Sequence, residues 1–230
     1  MKRLIHALGR AYQTKILSGE FERQKFYRHN ERPVEFAWVF KSIARYAPKT
    51  ILDVGTGDTA LPALMANCGA VVTAIDNIKD YWPDGMINRH WLVLDDDIQR
   101  TKLTQKFAMV TCISTLEHIK EYDAAVRAMM GLLRSGGHLV LTGPYTDAFH
   151  VDDCYRVPGA DAGLAAEPYI GNSYCGADLE RWLGYGGKLI EAEYWRGFTG
   201  KHWALGTRIA PPEAATIETG NHACLLIQKT

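Results

Sequence analysis

Short apolar runs alternate with amphipathic stretches along the chain from residue 50 onward. This alternation is typical of strands and helices in βαβ units, so it predicts an α/β protein with a mostly parallel sheet. We predict seven strands, at residues 50–54, 70–76, 90–95, 107–114, 138–143, 188–195 and 223–228. Helices are predicted on both faces of this sheet, at residues 34–46, 59–68, 122–133 and 178–183.

The N-terminal stretch MKRLIHALGRAYQTKIL has the pattern of an amphipathic helix. No continuous apolar core follows its basic start, so the stretch does not resemble a signal peptide. We expect this helix to pack on the rest of the domain, and attachment to a membrane surface is the alternative. Its apolar positions at helical spacing are Leu4, Ile5, Leu8, Tyr12 and Ile16, with Lys2, Arg3, Arg10 and Lys15 between them.

A single domain is the predicted organisation, because 230 residues suit one α/β domain and no linker or repeat interrupts the pattern. We assign residues 1–49 to a helical N-terminal cap and 50–143 to a cofactor-binding core. Residues 144–176 form a long connection that we call the lid segment, and 177–230 hold the C-terminal strands. A connection of this length inside a compact domain usually has a function.

Charge and cysteine content narrow the class of protein. The 26 basic and 26 acidic side chains balance, so no overall field attracts nucleic acid, and we predict no nucleic-acid partner. No apolar run has the length of a transmembrane helix. The cysteines are scattered and odd in number, which favours reduced thiols and a cytoplasmic location. They are Cys68, Cys112, Cys154, Cys175 and Cys224.

The sequence ILDVGTGDTALP, residues 51–62, carries the main candidate chemistry. Gly55 and Gly57 follow the first predicted strand in a G-x-G-x-x-G/A pattern, which lets the backbone approach a ligand closely. The second predicted strand ends in Asp76, where a carboxylate can accept hydrogen bonds from ribose hydroxyls. These features suit a nicotinamide dinucleotide and S-adenosylmethionine equally well.

Three further features favour the methyl donor. Asp53 places a carboxylate at the end of the first strand, where it suits the ammonium and sulfonium groups of the donor and not a pyrophosphate. Asp97 and Ile98, in LDDDI, follow the third strand and can meet an adenine ring, a position for which Asp96 is the alternative. The fourth strand runs into CISTLEHI, and the chain contains no Tyr-x-x-x-Lys pair of the kind used by short-chain dehydrogenases.

Residues 50–143 resemble a class I S-adenosylmethionine-dependent methyltransferase, with ILDVGTGDT, VVTAIDN, LDDDI, FAMVTCISTLEHI and LLRSGGHLVLTGPY in the family's order. The third glycine of the family's first motif is replaced by Thr59. The resemblance implies a Rossmann-like seven-stranded sheet with an antiparallel last strand. It also implies S-adenosyl-L-methionine as cofactor, held by Asp53, Gly55, Gly57, Asp76, Asn77, Asp97, Ile98, Ser114 and Leu116.

Methyl transfer to a hydroxyl needs a base within hydrogen-bond reach, most often a histidine. Candidates that follow the fourth and fifth strands are His118, Tyr145 and His150, with Asp152 beside them. The sequence DAFHVDD could also suggest a metal site, but its spacing fixes no geometry and we predict none. Aromatic residues of the lid segment favour a small-molecule acceptor with a flat face, such as a sugar. The alternatives are a nicotinamide-dependent oxidoreductase and a binding protein without catalysis.

Overall fold

The computed structural model describes residues 2–23, 30–82 and 85–230. The chain divides into two compact units, Met1–Asn30 and Glu31–Thr230. The first unit contains helix α1 (Lys2–Arg23), which confirms the predicted N-terminal helix. Residues 24–29 of the predicted cap lie outside the described residues. The predicted packing of α1 and the one-domain organisation stay predictions. In the described part of the chain, no helix has the length and apolar character needed to cross a membrane.

The second unit contains six helices and eight strands in its described residues. In chain order they are α2 (Arg32–Tyr46), β1 (Thr50–Val54), α3 (Leu61–Asn67), β2 (Val71–Asp76), α4 (Ile78–Tyr81), β3 (Val93–Asp95), β4 (Phe107–Ile113), α5 (Tyr122–Leu132), β5 (Leu133–Pro144), α6 (Ala162–Ala165), α7 (Gly176–Leu183), β6 (Gly187–Phe198), β7 (Arg208–Ala215) and β8 (His222–Lys229).

All eight strands form one sheet in the order β3-β2-β1-β4-β5-β8-β6-β7. Strands β1 to β5 pair in parallel, whereas β8 is antiparallel to both β5 and β6. The predicted α/β class and the mostly parallel, Rossmann-like sheet are therefore confirmed. The last strand is antiparallel, as predicted.

The predicted number of seven strands is wrong, because β7 was missed. Its sequence, RIAPPEAA, contains Pro211 and Pro212 and lacks a regular apolar alternation. Proline cannot donate a ladder hydrogen bond, and it is tolerated at the edge of a sheet, where β7 lies. Strand β5 also begins five residues before the predicted start at residue 138, at Leu133.

The sheet is buried on both faces, as helices on each side require. Ile51 and Met109 face the cluster formed with α2 and α3, whereas Leu52 and Val110 face the cluster formed with α5 and α7. Successive side chains of a strand point to opposite faces, so two neighbouring apolar residues contribute to two cores. All residues of β4 are buried, consistent with its central place in the sheet.

Glu35 connects α2 to the sheet at the edge where the parallel strands end. Its side chain is buried, and its Oε1 accepts hydrogen bonds from Ser114 Oγ at 2.5 Å and Thr142 Oγ1 at 2.7 Å. Arg32 Nη1 lies 2.8 Å from Oε2, and His222 Nε2 lies 3.3 Å from Oε1. Burial by itself would raise the pKa of Glu35, but these partners outweigh that effect and lower the pKa to about 2.

We expect Glu35→Ala to lower the free energy of unfolding by about 2–4 kcal/mol, because the change removes the buried partner of the half-buried Arg32 guanidinium and of the hydroxyls of Ser114 and Thr142. Urea unfolding followed by tryptophan fluorescence measures the difference. Glu180→Ala on α7 is the matched control, since Glu180 is an exposed helical residue and should cost less than about 1 kcal/mol. Equal stabilities of the two variants would contradict this account of Glu35.

The stabilisation by Glu35 should also depend on pH. The pKa of Glu35 is about 2 in the folded chain, against an ordinary value of 4.5. A group with a lowered folded pKa contributes its full stability above the unfolded value and loses it as the pH falls towards the folded value. The stability difference between the wild-type protein and Glu35→Gln should therefore shrink as the pH falls from about 5 to about 2.

Candidate active site

A cavity of about 300 Å³ lies at the carboxyl ends of β1, β2 and β4. In parallel α/β sheets this edge is where ligands bind, because the loops that follow the strands meet there. Most of the predicted site residues line this cavity. They are Asp53, Gly55, Gly57, Asp76, Asn77, Asp97, Ile98, Ser114 and His118.

The loop after β1 has the shape that its glycines permit. Gly55 and Gly57 have φ angles of +70° and +57°, a left-handed conformation that side chains with a Cβ rarely adopt. Thr115 packs against the loop so closely that a Cβ on Gly55 would lie 2.0 Å from its Cγ2 atom. Thr115 Oγ1 also donates a hydrogen bond to the carbonyl oxygen of Gly55, at 3.1 Å. The loop is therefore held against the end of β4.

Asp53 brings a buried carboxylate to the cavity. Thr111 Oγ1, on the neighbouring strand β4, donates to its Oδ1 at 2.6 Å, and Thr56 Oγ1 donates to its Oδ2 at 2.7 Å. Burial raises the pKa of Asp53 to about 6, although the two hydroxyls lower it. The group is thus largely ionised at neutral pH in a site of low polarity, where a cationic ligand would stabilise it further.

Asp76 supplies a second carboxylate, at the last residue of β2. Its Oδ2 accepts a hydrogen bond from the backbone N–H of Gly57 at 2.8 Å, and its Oδ1 accepts one from Trp82 Nε1 at 2.9 Å. Burial raises the pKa of Asp76, while these donors lower it. Each oxygen of a carboxylate has two lone pairs, so both can accept a further hydrogen bond.

The LDDDI sequence turns sharply after β3. Asp97 Oδ1 accepts hydrogen bonds from the backbone and side-chain nitrogens of Gln99, at 2.9 and 3.0 Å, which caps the short 3₁₀ turn Ile98–Arg100. Ile98 is buried and gives the cavity an apolar surface. Asp96, the alternative to Asp97, also lines the cavity and accepts a hydrogen bond from Thr101 Oγ1 at 2.5 Å.

His118 faces the cavity from the 3₁₀ turn that follows β4. Its Nδ1 lies 2.7 Å from the carbonyl oxygen of Ile170 in the lid segment. A carbonyl only accepts hydrogen bonds, so Nδ1 carries the proton and Nε2 is the acceptor. Burial lowers the pKa of His118 to about 4, which keeps the ring neutral at neutral pH. The Tyr169 ring lies edge-on to it, with 4.5 Å between the ring centroids.

The sequence profile of the methyltransferase domain matches residues 23–186 of the chain. The chain belongs to the methyltransferase domain family. This membership confirms the predicted resemblance and favours the methyl donor over the nicotinamide cofactor for the glycine loop.

Curated relatives of this methyltransferase domain include two ubiquinone biosynthesis O-methyltransferases. The chain is 30% identical to the Aeromonas salmonicida protein over 135 residues, which cover 55% of the chain and 54% of that protein. It is 29% identical to the Pseudomonas entomophila protein over 120 residues, covering 48% of the chain and 50% of that protein. The chain thus spans about half the length of the curated relatives it matches.

Solved structures share the fold of the methyltransferase domain. The N-methyltransferase NodS of Bradyrhizobium japonicum, in complex with S-adenosyl-L-homocysteine, has a TM-score of 0.55 at 14% identity, over 86% of each chain. The 1,6-didemethyltoxoflavin-N1-methyltransferase of Burkholderia thailandensis has a TM-score of 0.59 at 14% identity, covering 98% of this chain and 90% of the other. At these identities the likeness is one of fold.

Three predicted site residues lie elsewhere in the methyltransferase domain. Leu116 is buried in the core with α5, because its apolar side chain turns inward. Tyr145 is also buried, and its ring centroid lies 5.7 Å from that of Tyr194. His150 Nδ1 lies 2.7 Å from Asp178 Oδ2 on α7, which holds the imidazole away from the cavity. Because these residues follow predicted strands, the sequence indicated the edge of the sheet at which they lie. It did not indicate the direction of their side chains.

The acidic residues Asp152 and Asp153 of the lid segment, which the sequence offered as metal ligands, are not brought together. Asp152 Oδ1 lies 3.2 Å from His150 Nε2, whereas Asp153 Oδ1 accepts a hydrogen bond from the backbone N–H of Gly171 at 3.1 Å. Across residues 2–23, 30–82 and 85–230, no group of three or more His, Cys, Asp or Glu side chains is arranged to hold a metal ion.

Sequence reasoning missed several cavity residues, among them side chains from α2 and from the segment after β2. Arg32 and Phe36 lie one turn apart on α2, and the spacing of Arg32 and Glu35 on one helix face was the available signal. Two further missed residues, Tyr81 and Trp82, are aromatic and come from the segment after β2. The lid segment supplies Tyr169, one of the aromatic residues that the sequence singled out there.

We expect Gly55→Ala to destabilise the methyltransferase domain more than Gly69→Ala. Both glycines have positive φ, so each alanine should cost about 1–2 kcal/mol of backbone strain. Only Gly55 has a neighbour that a Cβ would overlap, Thr115, which should add about 1–3 kcal/mol. Urea unfolding of both variants tests this, and a Gly69→Ala variant as unstable as Gly55→Ala would contradict it.

Proposed function

We propose that the chain is an S-adenosylmethionine-dependent methyltransferase that acts on an oxygen or nitrogen atom of a small-molecule acceptor. The observation that carries the proposal is the pair of carboxylates, Asp53 and Asp76, on either side of the glycine loop in one cavity. Asp76 suits the ribose hydroxyls of either cofactor, whereas the negative charge of Asp53 suits an ammonium group and would repel a pyrophosphate. Membership of the methyltransferase domain family supports the same donor.

The cavity residues fit the parts of this donor. Asp53 can hold the amino group and Arg32 the carboxylate of the donor's amino-acid end, because the two side chains bring opposite charges to the same cavity. Asp76 can accept hydrogen bonds from the ribose hydroxyls, and Ile98 can pack on the adenine ring. When bound, S-adenosylmethionine supplies an electrophilic methyl group for direct displacement, so the protein's task is alignment and exclusion of water.

His118 is the residue we assign to the acceptor. Its neutral ring presents Nε2 as a hydrogen-bond acceptor, so it can orient a hydroxyl or amine and take its proton during transfer. Tyr81 and Tyr169 form an aromatic wall beside it, with ring centroids 5.9 Å apart. Aromatic faces suit a flat-faced acceptor, such as a sugar or an aromatic ring. This combination favours a small acceptor that carries a hydroxyl or an amine.

The role of Asp53 can be tested by the binding of S-adenosylhomocysteine, the product that remains when the donor has lost its methyl group. We expect the wild-type protein to bind S-adenosylhomocysteine, and Asp53→Asn to weaken binding by about 10–100-fold through loss of a charged hydrogen bond. The pKa of Asp53 is about 6, so wild-type binding should weaken as the pH falls through that value. Asp53→Asn should show no such step. Calorimetry measures both, and binding of NAD(H) without S-adenosylhomocysteine would contradict the proposal.

Turnover should test the role of His118. We expect His118→Gln to lower kcat by about 10²–10⁴-fold with little change in the affinity for S-adenosylhomocysteine, since a base acts on the acceptor and not on the donor. The assay follows S-adenosylhomocysteine release across a panel of hydroxylated small molecules. His90→Gln is the control, because His90 is exposed and does not line the cavity. An unchanged kcat in His118→Gln would remove His118 from the mechanism.

A further inference from the structure

The chain after β2 folds back over the glycine loop. Trp82, which follows α4, donates from Nε1 to Asp76 Oδ1 at 2.9 Å. The same indole lies beside the loop, because a Cβ on Gly57 would be 3.7 Å from Trp82 Cζ2. Asn88 Nδ2 donates to the carbonyl oxygens of Gly57 and Thr59, each at 2.9 Å. Trp82 therefore contacts both the Asp76 carboxylate and the glycine loop, which line this part of the cavity.

Each oxygen of the Asp76 carboxylate accepts a hydrogen bond that fixes its orientation. The backbone N–H of Gly57 holds one oxygen at 2.8 Å, and the indole N–H of Trp82 holds the other. A carboxylate bound at both oxygens cannot rotate about its last bond without losing a hydrogen bond. Its second lone pairs then point in fixed directions, which is what recognition of two neighbouring hydroxyls requires.

Tryptophan suits this position for two reasons. Its Nε1–H donates and cannot accept, so Trp82 can stabilise the ionised form of Asp76 but cannot compete with it for ligand hydroxyl protons. The indole is large and rigid, so it also forms a wall of the cavity at little cost in side-chain entropy.

We propose that Trp82 is a positioning residue, whose indole N–H fixes the Asp76 carboxylate in the orientation that accepts the ribose hydroxyls of the donor. The proposal rests on the proposed function, since it concerns the same donor. It differs from a purely structural role for Trp82, such as ending α4, because it makes the effect of Trp82 depend on the ribose of the ligand.

The test compares two ligands on Trp82→Phe, which keeps an aromatic ring and removes the N–H. The ligands are S-adenosylhomocysteine and its 3′-deoxy analogue, which lacks one ribose hydroxyl. We expect Trp82→Phe to weaken S-adenosylhomocysteine about 5–10-fold and the analogue less than about 2-fold, because only the former uses the fixed carboxylate fully. Trp91→Phe is the matched control, since Trp91 lies in the same segment and does not line the cavity.

A double-mutant cycle tests whether Trp82 acts through Asp76. In the background of Asp76→Asn, Trp82→Phe should change the affinity for S-adenosylhomocysteine less than about 2-fold, whereas independent effects would multiply. If Trp82→Phe fails to fold in a thermal unfolding test, Trp82→Met, which also lacks a side-chain donor, replaces it.

The outcomes separate the inference from the proposed function. Equal weakening of both ligands by Trp82→Phe, or effects of Trp82 and Asp76 that multiply, would overturn the positioning role and leave the methyltransferase proposal in place. Absence of S-adenosylhomocysteine binding by the wild-type protein would overturn the proposed function and the inference with it. Ligand-selective weakening that disappears with Asp76→Asn supports the inference.

Discussion

The buried carboxylate of Glu35 is the interaction on which the site depends most. It joins α2 to the ends of β4 and β5 through Ser114 and Thr142, and it holds the guanidinium of Arg32. Arg32 and Ser114 both line the cavity, so the buried carboxylate of Glu35 positions two of the lining residues. A buried carboxylate stays ionised only when its partners offset the loss of water. The same contacts that make α2 pack on the sheet therefore also form the ligand site.

Burial acts differently on the two carboxylates that line the cavity. Asp53 and Asp76 have raised pKa values because their hydrogen bonds do not fully offset burial, in contrast to Glu35 with its cationic partner. An ionised group that is incompletely compensated gains most from a ligand that brings positive charge or hydroxyl donors. The charge of Glu35 is compensated by its protein partners, whereas the charges of Asp53 and Asp76 are only partly compensated. Glu35 is therefore suited to a structural role, and Asp53 and Asp76 are suited to binding a ligand.

The parts of the site that sequence could predict are those encoded within one βα unit. Gly55 and Ile98 follow strands, and Asp76 ends one, at points visible as the ends of apolar runs, and the parallel sheet brings those ends together. Trp82 and Arg32 could not be predicted this way, because their contacts with Asp76 and Glu35 require specific side-chain directions in tertiary structure. Strand β7 was missed for a related reason, since its pairing with β6 and not its own pattern makes it a strand.

The two halves of the cavity have different structural origins, which bears on how an acceptor could be chosen. The half that we propose for the donor is formed by the loops after β1, β2 and β3 together with Arg32 of α2. The other half depends on the lid segment, which supplies Tyr169 and the Ile170 carbonyl that fixes the tautomer of His118. A change in the lid segment can therefore alter the surface that faces an acceptor while the strand ends that carry Asp53 and Asp76 stay in place. Specificity for the acceptor is accordingly expected to reside in the lid segment, and donor binding in the strands.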